Sequence, residues 1–149
     1  MTTALPAGAS RPATTGTARG QEGSIGVVER FYAAFDDLPA LFELITPDVV
    51  IRYPAAGVLA YGGDWHGTEE VVRFLTAHDD AEEIVDFELR ELVASGERVV
   101  ALGLFRGRAK PAGRPWTTEF VHAFTVQGGR VHRFQAFFDT AAALAAHRA

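Results

Sequence analysis

The chain has no cysteine, a single lysine (Lys110) and no apolar run near the roughly 18 residues that a membrane-spanning helix needs. Without cysteine there are no disulfides, thiolate nucleophiles, cysteine zinc sites or iron–sulfur clusters, although the compartment stays open. One lysine and a formal net charge of −5 argue against a nucleic-acid partner, which would need clustered Lys and Arg against the phosphates. The N-terminus lacks the apolar centre of a signal peptide, so a cytoplasmic protein with no membrane partner is expected.

What is present suits one packed domain. The 149 residues make a single core, and 48% apolar composition with eleven Phe supplies an interior large enough to enclose a cavity. Residues 1 to 22 are rich in Ala, Thr, Gly, Pro and Ser without periodicity, a composition that cannot offset chain entropy by burial, so a disordered tail is expected there. The domain should occupy 23 to 149.

Ser24 is placed to cap a helix carrying Ile25, Val28, Phe31, Tyr32 and Phe35 at helical spacing. Pro39 suits the first turn of a short second helix through Leu41, Leu44 and Ile45, ended by Thr46-Pro47-Asp48. Val49 to Tyr53 reads as a strand stopping at Pro54, followed by a Gly-rich loop from Ala55 to Gly67. Thr68 then caps a third helix bearing Glu69 and Glu70 in its first turn. Four strands follow, Ile84 to Ser95, Arg98 to Lys110, Trp116 to Val126 and Arg130 to Phe138, before an Ala-rich helix opened by Asp139-Thr140. The order α-α-β-α-β-β-β-β defines an α+β domain. From Val99 to Phe105 both strand faces are apolar, so the sheet needs cover on two sides, and a second copy of the chain is the simplest cover for the outer one.

This element order resembles the nuclear-transport-factor-2-like superfamily, and more narrowly its SnoaL-like group. The resemblance is carried by Thr46-Pro47-Asp48-Val49-Val50, Trp65-His66-Gly67-Thr68-Glu69-Glu70-Val71, Pro111-Ala112-Gly113-Arg114 and Gly128-Gly129-Arg130-Val131. It implies a cystatin-like cone, a curved mixed or antiparallel sheet wrapped around helices and enclosing a pocket. Such pockets usually act with no cofactor and no metal, in polyketide cyclases, ketosteroid isomerases, limonene epoxide hydrolases, dehydratases and non-catalytic binding modules. Fold alone does not choose among them.

The residues of this chain narrow the choice. Where ketosteroid isomerases carry their carboxylate base stands Tyr53, and their oxyanion donors match Phe31 and His122. The epoxide-hydrolase set matches Gly103, Phe105 and Ala136, which cannot activate water. The cyclase histidine has a counterpart in His122. The resemblance turns His122 toward the pocket with Thr118 and Phe120, so His122 is expected as a general base, and Tyr53 as a hydrogen-bond donor to a developing enolate or alkoxide. Phe31, Trp65, Phe105, Thr118, Phe120 and Phe134 are expected to bind a small apolar substrate, with Trp65 on a lid loop. The expected activity is a cofactor-independent cyclase, isomerase or dehydratase acting by proton transfer on a carbonyl compound. A non-catalytic ligand-binding or dimerisation module of the same fold is the alternative.

Overall fold

Alternating burial along the last four strands builds one concave wall, and the helices lie in it. In the computed structural model, which describes residues 13–15 and 19–148 with side chains from residue 23, a short strand β1 (Ala13–Thr15) precedes α1 (Arg19–Ala33) and α2 (Leu38–Glu43). Next come β2 (Ile45–Tyr53), β3 (Gly63–His66) and α3 (Gly67–Ala81). The long strands β4 (Glu82–Ser95), β5 (Arg98–Ala109), β6 (Arg114–Gln127) and β7 (Arg130–Phe138) lead to α4 (Thr140–His147). The sheet order is β1-β4-β5-β6-β7-β2-β3, antiparallel except for the β1–β4 and β2–β7 pairs. It is a curved, unclosed sheet of an α+β cone. No helix among the described residues is long and apolar enough to cross a membrane.

Four departures from the sequence reading have physical causes. The tail expected to be disordered lies largely outside the described residues, but Ala13–Thr15 pairs in parallel with Glu91–Val93 of β4. Helix α1 begins at Arg19, so Ser24 is inside it rather than at its cap, and the Ser24 hydroxyl donates to the Gly96 carbonyl at 2.9 Å. Strand β2 starts at Ile45, because a register shift against β7 between Ile45 and Val50 gives Pro47 a place where a strand tolerates proline. The loop after Pro54 contains β3, whose Gly-Asp-Trp-His sequence has little strand propensity of its own. Its pairing with Val50–Tyr53 and the bidentate Arg52–Asp64 bridge, at 2.8 and 2.9 Å, hold it in place.

Helix α1 fills the closed end of the cone. Val28, Phe31 and Tyr32 are at most 2% exposed, and the Phe31 ring meets Phe124 edge-on at 5.5 Å and stacks on Phe134 at 5.8 Å. Each such burial contributes on the order of 1.5–3 kcal/mol. Helix α3 turns Val71, Phe74, Leu75 and His78 inward; its N-cap is His66 rather than the expected Thr68, which lies inside the first turn, and Glu70 accepts the His66 N–H. Asp139, as expected, caps α4 through the Ala142 N–H.

Small residues on β5 make room at the open end. A methyl on Gly103 would lie 2.1 Å from the Glu88 carbonyl oxygen and 2.4 Å from the Phe120 ring, so that ring lies directly over the glycine. Gly103→Ala should therefore cost about 1–3 kcal/mol in urea unfolding. Gly23→Ala, on an exposed helix position with nothing within 4 Å, should be neutral or stabilising by about 0.5–1 kcal/mol.

Candidate active site

The buried face of β6 presents Trp116, Thr118, Phe120, His122, Phe124 and Val126 in strict alternation with the more exposed Thr117, Glu119 and Val121. The first four of these, with Phe105 of β5, wall a cavity of about 70 Å³ that is closed from the other side by Tyr53, Tyr61, Phe74 and His78. An engineered cavity of about 150 Å³ holds benzene, so this one is compact.

His122 is 6% exposed and is clasped by rings, Phe120 stacked at 4.3 Å and Phe134 at 4.7 Å. Its Nδ1 lies 2.6 Å from the hydroxyl oxygen of Tyr32 on α1. Burial, with a further contribution from nearby Tyr53, pushes the Tyr32 phenol well above its ordinary value, so it keeps its proton. Burial alone pulls the His122 imidazole from the ordinary 6.5 down to about 3, so the ring is neutral. A neutral ring carries one N–H, and the Tyr32 hydroxyl hydrogen is satisfied in this bond only if Nδ1 accepts it. Satisfying the pair therefore assigns the His122 proton to Nε2.

His122 is a lining residue of the cavity. Among the described residues the fully buried side-chain N or O atom lacking a partner is Nδ1 of His78, whereas His122 Nε2 is unpartnered but not sealed off. The Tyr53 hydroxyl is in the same position. Burial raises its pKa, and its ring packs on Phe74 at 4.8 Å and Phe134 at 5.9 Å. Tyr53 and His122 thus line one cavity and meet through Phe134 rather than directly. The phenol bonded to His122 is Tyr32.

A second polar cluster closes the open end. Glu82, 2% exposed at the start of β4, accepts from the Tyr61 hydroxyl at 3.1 Å, the Trp116 indole N–H at 3.0 Å and His147 Nε2 at 2.9 Å. Burial pushes the Glu82 carboxyl up while these donors pull it down. The cluster ties α4 and the loop before β3 to the sheet and leaves Glu82 itself outside the cavity lining.

A family model described as a SnoaL-like domain matches residues 28–134. The chain belongs to the SnoaL-like domain family. Solved structures agree: an NTF2-like protein of Burkholderia xenovorans is 27% identical, with 86% of this chain and 98% of that one covered at TM-score 0.80. An NTF2-like protein of unknown function from Burkholderia pseudomallei is 33% identical over 85% and 98%, TM-score 0.78. TerC, co-crystallized with polyporic acid, is 26% identical over 85% and 99%, TM-score 0.76. Among curated proteins there is no significant match.

In this SnoaL-like domain, the cavity lining takes in five of the eight residues expected from sequence: Tyr53, Phe105, Thr118, Phe120 and His122. The Thr118 hydroxyl is committed to backbone, donating to the Glu119 carbonyl at 2.7 Å and accepting the Asp139 N–H at 2.9 Å. The other three, Phe31, Trp65 and Phe134, fall outside the lining. Phe31 belongs to the core beneath α1, because the helix turn that buries it aims Tyr32 at His122. Phe134 backs Tyr53 and His122 as a support. Trp65 packs on Phe74 at 5.8 Å and donates to the Tyr61 carbonyl at 3.2 Å, so it braces the loop rather than covering a mouth.

Sequence reasoning places Tyr32 on the α1 face without its bond to His122, and misses Tyr61, His78, Glu82 and His147. Two had a legible signal: Tyr32 recurs with Ile25 and Val28 at i+7 and i+4 on the inner face of α1, and Val71, Phe74, Leu75 and His78 recur at i, i+3, i+4 and i+7 on α3.

The neutral histidines give stability a defined pH dependence. Burial, the leading cause, also holds His78 down at about 4. Below about pH 6.5 the unfolded chain binds a proton on each ring that the folded chain refuses, so this contribution is complete above pH 6.5 and lost as the pH falls toward 4. Glu82 has the opposite sign: its raised pKa favours the folded state at low pH, and that contribution is lost as the pH rises through the raised value. The melting temperature followed by circular dichroism should drop by about 5 °C or more between pH 6.5 and pH 4, and His122→Phe should flatten the slope.

Proposed function

We propose that this domain binds a small, apolar, carbonyl-bearing molecule and polarises its oxygen with the Nε2–H of His122, assisted by the Tyr53 hydroxyl, in a cofactor-independent cyclisation, isomerisation or dehydration. The observation that carries this reading is the Tyr32–His122 bond of 2.6 Å, which satisfies Nδ1 and leaves the free N–H of a cavity-lining imidazole on Nε2. Donors already aimed at an oxygen in a dry site stabilise the charge that develops there as an α-proton leaves. A ring held neutral down to about pH 3 is a weak base, so His122 serves better as donor than as proton acceptor. No unpaired carboxylate is among the lining residues. The α-proton must then pass to the substrate's own basic group or to water entering with it, which favours substrates whose α-proton is already acidic. TerC with polyporic acid supports the idea that this fold accepts an oxygenated organic molecule.

A second reading, binding without turnover, is favoured by the same shortage of a free base. Deuterium exchange into the α-carbon of cyclohexanone, followed by NMR in D2O, separates the two. Catalysis predicts exchange above the buffer rate, lowered about 100-fold in His122→Phe and less in Tyr32→Phe, where the ring remains but its proton is no longer directed. Binding with exchange at the buffer rate would leave a binding module.

A second copy of the chain is the proposed cover of the outer sheet face. There Phe137 is 48% exposed in a shallow groove that it shares with Arg90, Glu91 and Glu119. A groove carrying charges of both signs can meet its own copy about a two-fold axis. Sedimentation should give a dimer for the wild type and a shift to monomer for Phe137→Lys, and a monomeric wild type would remove the proposal.

A further inference from the structure

Resting on the carbonyl-binding reading of His122, we propose that His78 is a second ligand-binding donor. The cavity would then take a neutral molecule with two acceptor oxygens on opposite sides of an apolar ring, one held by His122 and the other by His78.

His78 lines the cavity from α3, opposite the strand wall that carries His122, and is 9% exposed. Its ring is wedged against Tyr61 at 4.5 Å and Phe74 at 6.1 Å, and no residue meets its buried Nδ1. A buried lone pair without a partner is tolerated better than a buried N–H without one. The ring proton is thus assigned to Nε2, which is unpartnered and not sealed. Burial, which holds this ring at about 4, keeps it neutral as well.

The remaining polar atoms of the lining are already committed. The Tyr61 hydroxyl and the Trp116 N–H donate to Glu82, and the Thr118 hydroxyl is held by backbone. The unpaired groups facing a ligand are therefore His78, His122 and Tyr53. His78 adjoins Tyr53 at 6.2 Å, and behind the lining Tyr53 and His122 both pack on Phe134, at 5.9 and 4.7 Å, so two rings separate the two histidines. Donors so spread fit acceptors on opposite sides of a ring better than a pair on adjacent atoms. No Lys or Arg lines the cavity, so a carboxylate ligand would be buried without a counter-charge.

The test compares cyclohexanone, cyclohexane-1,4-dione and 4-oxocyclohexanecarboxylate by isothermal titration calorimetry on the full chain. The dione should bind about five- to tenfold more tightly than cyclohexanone, as one added hydrogen bond allows, and the carboxylate more weakly than either. His78→Phe should erase the dione's advantage, bringing the ratio of the two affinities measured in that variant to about one, while His122→Phe weakens both ketones. If cyclohexanone binds in a His122-dependent way but the dione has no advantage, or His78→Phe weakens both ketones equally, the role of His78 is overturned and the carbonyl reading survives. If neither ketone binds the wild type, both fall. Should His78→Phe fail to fold, the ring N–H resonance of His78 in the wild type decides: the dione should shift it and cyclohexanone should not, and no shift with the dione overturns the proposal.

Discussion

Three buried polar side chains of this sheet, His122, Thr118 and Glu82, are met by groups from beyond their own strands, Thr118 donating within its strand as well, and that constraint places the elements packed against the sheet. The Nδ1 of His122 is met by Tyr32 of α1, the Thr118 hydroxyl by the backbone N–H that opens α4, and the Glu82 carboxylate by Tyr61, Trp116 and His147. Leaving a buried polar group unpaired costs about 1–3 kcal/mol, more for a charge, so each bond also fixes where its helix or loop sits. These bonds, more than the surrounding apolar contacts, set the orientation of α1, α4 and the loop before β3, because apolar contact is not directional.

The cavity is what remains once those partners are assigned. The glycines of β5 let aromatic rings lie flat against the sheet, and the rings exclude water from three unpaired groups, His78, His122 and Tyr53. In so dry a place neither imidazole is charged near neutral pH. The unpaired polar groups of the lining are therefore neutral hydrogen-bonding groups, and no Asp or Glu stands among the lining residues.

Much of the fold was legible because period-two burial is a local property. The expected boundaries of the four meander strands differ from the observed ones by two residues or fewer, and Asp139 was read correctly as a cap. Strand β3 was not legible, since Gly63 and Asp64 favour turns, and only pairing with β2 makes the segment a strand. The start of α1 was missed for a related reason: Ser24 has the chemistry of a cap, but a tertiary bond to Gly96 takes its hydroxyl.

For the site, the sequence by itself determined that a histidine, His122, alternates with Phe120 and Phe124 on one strand face and that a tyrosine, Tyr53, ends the strand before Pro54; that both belong to one pocket was what the family resemblance implied. Only the tertiary structure decided that Tyr32 rather than Phe31 meets His122, that Glu82 is buried with three donors, and that His78 is left without a partner. Those outcomes depend on the rotation of α1 and α3 about their axes, and adjacent residues of a helix point about 100° apart. A pattern of apolar residues locates such a face only to within a residue. Packing against the sheet chooses which side chain reaches across, and with it which nitrogen carries the proton.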